Sequence, residues 1–122
     1  MGYHVVDPDD IAPTPDRPSE HRSITRAVGL AEMGLNVYRA EPGEQLPLVY
    51  HVHDEQEEAF YVLSGAMRVE TPDREYDVNA DEVFVAEPNS PHRAYVPEDA
   101  EETARVLAVG APSVDDAHPY DE

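Results

Sequence analysis

The sequence has no cysteine in its 122 residues. That excludes disulfides, thiolate metal sites and a cysteine nucleophile. It has no lysine either. Eight arginines stand against 27 acidic residues, for a formal net charge of −19. Nucleic-acid binding needs basic groups that displace counterions from phosphates, so this chain is expected to repel DNA and RNA. Anionic membranes are disfavoured for the same reason. No apolar run approaches the roughly 20 residues needed to span a bilayer. Met1 to Asp10 lacks a basic stretch followed by an apolar one, so no secretory signal is visible and a soluble cytoplasmic protein is expected. Long amphipathic helical periodicity and internal repeats are also missing.

The acid excess without lysine is similar to the composition of proteins from salt-loving archaea, where screening makes such self-repulsion tolerable. Most of the acidity then concerns solubility in brine and carries no information about substrate. At this length one domain with one core is expected, and residues 1–122 read as a single unit.

Residues 1–22 hold Pro8, Pro13, Pro15 and Pro18 among acidic residues, a composition that disfavours helix. They read as an extended arm, packed on the body of the domain or on a second subunit. Residues 112–122 read as a mobile acidic tail. Between them, over 23–111, short apolar segments alternate with turn chemistry, which is the all-β signature. Strands are expected at 35–40, 48–53, 59–63, 66–71, 75–78, 83–86, 92–96 and 103–109. Ala66 to Thr71 is expected to return as the hairpin partner of Ala59 to Leu63. Eight or so short strands suggest a small antiparallel barrel or jelly roll.

The informative residues are His51, His53, Glu58 and His92. Side chains on a strand alternate faces, so His51 and His53 point to one side together with Val49. Glu58 shares a face with Phe60 and Val62, and His92 with Ala94 and Val96. Each candidate thus lies on an apolar, inward face, whereas Glu57, Asp54 and Arg93 point outward. Buried imidazoles and a buried carboxylate are costly unless paired or coordinated, and one metal ion resolves that cost for all of them. His4, His21 and His118 fall in the terminal segments and read as solvated. Phe60, Val62 and Phe84 read as core, and Tyr38, Tyr50 and Tyr95 as packing or surface residues. Arg39 reads as a solvated strand charge.

On these residues the chain resembles the cupin superfamily in its small, single-domain form. Gly43 to Gly65, with His51, His53, Glu58 and the closing glycine, is similar to the first cupin motif. Asp81 to His92 is similar to the second. The resemblance departs from the family in a longer loop after Gly43, in Asp81 or Glu82 at a glycine position, and in Asn89 and Val96 at later positions. It implies an antiparallel jelly-roll barrel with His51, His53, Glu58 and His92 as ligands to one divalent transition metal, such as Fe, Mn, Ni, Co or Zn. It further implies either a metal-dependent enzyme of oxygenase or isomerase type acting on a small oxygenated or carbonyl compound, or a non-catalytic binding or metal-stabilised structural module. A homodimer is expected, because strand edges of small barrels are commonly covered by a second subunit.

Overall fold

The computed structural model describes residues 2–113 and 116–120, apart from the side chains of residues 47–49. Among the described residues, ten strands form two antiparallel sheets that face each other. The strands are β1 (Glu20–Ser23), β2 (Gly34–Ala40), β3 (Gln45–His53), β4 (Glu57–Ser64) and β5 (Ala66–Glu70), then β6 (Glu75–Asn79), β7 (Val83–Ala86), β8 (His92–Tyr95), β9 (Ala104–Ala111) and β10 (Ala117–Pro119). The first sheet runs β1-β2-β9-β4-β7 and the second β10-β3-β8-β5-β6. This is a jelly roll. One short helix, α1 (Ile24–Val28), bridges β1 to β2 and is capped by the Ser23 hydroxyl at its start and by left-handed Gly29 at its end.

Alternation does most of the work of folding. Along β9 the buried side chains Ala104, Val106 and Ala108 alternate with the more accessible Arg105, Leu107 and Val109. Phe60 and Val62 of β4, Met67 and Val69 of β5, Leu46 of β3 and Ala94 of β8 meet between the sheets, and all are buried. The parity expected for β4 holds: Glu57 is exposed while Phe60 and Val62 are inside.

The hairpin expected between Ala59–Leu63 and Ala66–Thr71 does not form. β4 pairs with β9 and β7, whereas β5 pairs with β6 and β8 in the other sheet. The cause is Gly65. It adopts φ 74°, and a Cβ there would lie 2.6 Å from the Thr103 carbonyl oxygen. Only glycine lets the chain turn this corner against the start of β9 and cross from one sheet to the other.

Part of each terminal segment packs on the sheets. The arm lies on its own chain, where β1 pairs with β2 and extends the first sheet. Arg22 Nη1 donates to the carbonyls of Pro8, Asp9 and Ile11 at 3.2, 3.1 and 2.8 Å. His21, expected to be solvated, is buried. It stands opposite Tyr38 in the β1–β2 register, and its ring nitrogens contact Thr14 Oγ1 and Asn36 Oδ1, both at 2.8 Å. Burial lowers its pKa below the usual imidazole value. The segment read as a mobile tail also docks. β10 pairs with β3, aligning Ala117 with His53, and the Tyr120 ring packs tilted against Tyr50 with centroids 5.2 Å apart. The other tail acids, Asp115, Asp121 and Glu122, lie outside the described residues.

Candidate metal centre

His51 and His53 come from β3, and His92 stands directly across from His51 on β8. These three belong to the second sheet. Glu58 comes from β4 in the first sheet and reaches between the layers. The structure therefore brings together all four residues singled out by parity, from three strands. The side chains of His51 and His92 are 2% exposed and those of Glu58 and His53 11%, so the cluster is nearly dry.

Three imidazoles converge on one oxygen. Glu58 Oε1 lies 3.0 Å from His53 Nε2, 3.1 Å from His92 Nε2 and 3.8 Å from His51 Nε2. The ligand atoms of His51, Glu58 and His92 all fall within 4.8 Å of one another. Glu58 Oε1 and His92 Nε2 are buried yet make no hydrogen bond, despite their separation. Three ring nitrogens packed this closely on one buried carboxylate oxygen are a donor set that an ion can satisfy. Ligands about 2.1 Å from a transition metal sit roughly 3 Å from their neighbours, so the observed spacing fits.

Outer contacts fix the imidazoles. His92 Nδ1 lies 2.8 Å from the Ser90 carbonyl, which only accepts, so Nδ1 carries the proton and Nε2 turns inward. His53 Nδ1 donates to Asp116 Oδ1 at 2.7 Å. Asp116 Oδ2 in turn accepts from the backbone N–H groups of Glu55 (2.6 Å) and Gln56 (2.9 Å). A carboxylate behind a ligating histidine orients the ring and raises its basicity. Sequence reasoning missed Asp116. It precedes a strand only three residues long, and its charge is one among many.

The loop before His92 is equally constrained. Asn89 adopts φ 64° and its N–H bonds the His53 carbonyl at 2.7 Å, which ties the His92 loop to the end of β3. Asp81 adopts φ 69° and thus occupies the glycine position of the second motif.

Electrostatics follow from this packing. Burial alone would raise the Glu58 carboxyl, but the three imidazoles outweigh it and hold the group well below the usual carboxylate range. The Glu58 carboxylate, helped by Asp116 and opposed by burial, pushes His53 up to about 9 in the metal-free chain. Desolvation works against Asp116, yet His53 and the two backbone N–H groups lower its pKa.

The two sheets are not joined along one side, where β7 and β6 are the terminal strands. A groove of about 600 Å³ opens there and is lined in part by Tyr76, Phe84, Ala86 and His92. Phe84, expected as core, packs against the core and also lines this groove. Tyr38 is buried beside His21, and Arg39 is exposed on the outer face of β2.

The cupin domain family profile matches residues 36–110. Solved structures with the same fold include the polyketide cyclase RemF from Streptomyces resistomycificus, with 22% identity, 99% of this chain and 87% of that chain covered, and a TM-score of 0.81. A sugar phosphate isomerase from Silicibacter pomeroyi shows 24% identity, coverage of 98% and 83%, and a TM-score of 0.82. A predicted oxalate decarboxylase from Thermotoga maritima shows 18% identity, coverage of 89% and 99%, and a TM-score of 0.73. Comparison with curated proteins returned no match.

Proposed function

This chain belongs to the cupin family, and from that premise we propose that it is a metal-dependent enzyme acting on a small oxygenated or carbonyl compound. His51, His53, Glu58 and His92 would hold one divalent transition metal, with Asp116 orienting His53. A bound ion would supply Lewis acidity toward a substrate oxygen. The protein's own part is to keep three Nε2 atoms and one carboxylate oxygen converged in a dry layer, and to give substrate a way in.

The groove carries the enzyme reading over that of a structural module. Its lining includes His92, one of the four converging side chains, so a path from solvent ends beside the cluster, one buried imidazole away from the converging atoms. A purely structural ion needs no such approach. The enzyme names of the RemF, sugar phosphate isomerase and oxalate decarboxylase neighbours agree with this reading, and their activities differ among themselves. Cobalt-loaded protein tests it. Azide should shift the visible spectrum by binding at an open position. A spectrum indifferent to azide identifies a ligand-closed, structural ion.

The expected homodimer would form through the outer face of the first sheet. The outer face of the first sheet carries Leu107, Val109, Tyr61, Leu63, Val83 and Val85, with Val83 50% and Val85 63% exposed. Arg22, Arg39 and Arg105 fringe it with Glu20, Glu57 and Asp81, so charges of both signs border this face on a chain of net charge −19. Two copies can approach there without the repulsion they meet elsewhere. Sedimentation of the wild type should give a dimer and Leu63→Glu a monomer. A wild-type monomer, or a dimer unmoved by the substitution, contradicts the assignment.

A further inference from the structure

The groove that reaches His92 has a chemical character of its own. Pro72, Tyr76, Phe84, Ala86 and Pro91 supply its apolar walls. The aromatic rings form a file toward the cluster. Tyr76 and Phe84 have centroids 5.7 Å apart, and Phe84 and His92 6.0 Å. Both separations fall in the range where ring edges and faces attract.

Its charges are one-sided. Asp73 and Glu87 line the groove and are exposed, and among the described residues no arginine does. The chain has no lysine to reach in from elsewhere. Arg74, the cation adjacent in sequence, lies outside the lining, with its guanidinium carbon 4.5 Å from the Tyr76 ring centroid. A phosphate or carboxylate in the outer groove would therefore meet two lining carboxylates against the one guanidinium held on Tyr76. Recognition of phosphate normally rests on arginine, lysine or clustered backbone N–H groups.

Resting on the metal-enzyme reading above, we propose that the substrate carries an oxygen-donor head on an apolar, ring-bearing body whose far end is neutral or cationic. Phosphorylated sugars and other substrates with a remote anion are disfavoured by Asp73 and Glu87. The apolar body lies along Tyr76 and Phe84, and the head is directed to the His92 end of the groove.

Zinc-loaded protein, which is inert to redox chemistry, allows a binding test. Three probes share one two-oxygen head: catechol is neutral, dopamine cationic and 3,4-dihydroxybenzoate anionic. Calorimetry should find catechol and dopamine at least about tenfold tighter than 3,4-dihydroxybenzoate, the scale of one nearby like-charge pair at a partly wet site. The double variant Asp73→Asn, Glu87→Gln should bring the three within about threefold. It changes the net charge only from −19 to −17, so repulsion by the chain as a whole stays nearly constant. Tyr76→Ala should weaken catechol and leave acetohydroxamate, an aliphatic two-oxygen chelator, unchanged. The proposal is overturned if 3,4-dihydroxybenzoate binds as tightly as catechol, if the preference survives in the double variant, or if Tyr76→Ala weakens both chelators alike. Zinc content measured first in the same samples separates the failures. Protein that takes up no zinc overturns the metal reading itself, while zinc-loaded protein with the wrong order of probes overturns the substrate class alone.

Discussion

Asp116→Asn should lower metal affinity by about 10- to 100-fold, or roughly 1.4–2.7 kcal/mol, the usual cost of losing a carboxylate behind a ligating histidine. The structure gives three reasons. Asp116 Oδ1 accepts from His53 Nδ1 at 2.7 Å and so fixes the ring with Nε2 inward. Its other oxygen accepts from the N–H groups of Glu55 and Gln56. An asparagine keeps one acceptor but turns its amide N–H₂ against these donors or against His53, so one of the contacts must break. The negative charge that makes His53 a better donor to a cation is also lost. Glu58, the largest influence on His53, remains, so the loss is partial. Competition with a chromophoric chelator at fixed pH reads the dissociation constant. Asp54→Asn is the control, since Asp54 contacts only the exposed His118 among the described residues. Affinity within twofold of wild type for Asp116→Asn, or an equal loss in Asp54→Asn, would refute the reasoning.

Stability of the metal-free protein should depend on pH from both sides. Glu58 is held low, so its contribution is present above the ordinary carboxylate value near 4.5 and is lost as pH falls further. His53 is raised, so its contribution is complete below 6.5 and disappears as pH climbs through about 9. Melting temperature without metal should therefore decline between pH 6.5 and 9. Bound metal should flatten that decline, because ligation requires His53 deprotonated at Nε2. A decline of equal size with and without metal contradicts the assignment of His53. Gly65→Ala should destabilise by at least about 2 kcal/mol in chemical denaturation, from the left-handed backbone and the clash with Thr103. A loss under 0.5 kcal/mol would mean that the corner between β4 and β5 relaxes freely.

Much of the site was legible because strand geometry is periodic. His51 and His53, Glu58 with Phe60, and His92 with Ala94 each follow period two, so a common inward face could be read from spacing alone. What escaped was set by tertiary contact. Ala59–Leu63 and Ala66–Thr71 look like a hairpin because a tight turn joins them. Their assignment to opposite sheets depends on Gly65 meeting Thr103, some forty residues away in sequence. His21 lies in a proline-rich segment, and nothing local announces its position opposite Tyr38. Asp116 was hidden by the excess of acid around it. In a chain with 27 carboxylates, the one that orients a histidine has no distinguishing composition.

The central claim is that His51, His53, Glu58 and His92 hold a metal ion. Elemental analysis of untagged protein, purified without added metal, tests it most directly. One transition metal per chain is predicted for the wild type, with loss in His51→Ala and in His92→Ala. Wild-type protein without metal, or stoichiometric metal retained by both variants, would contradict it.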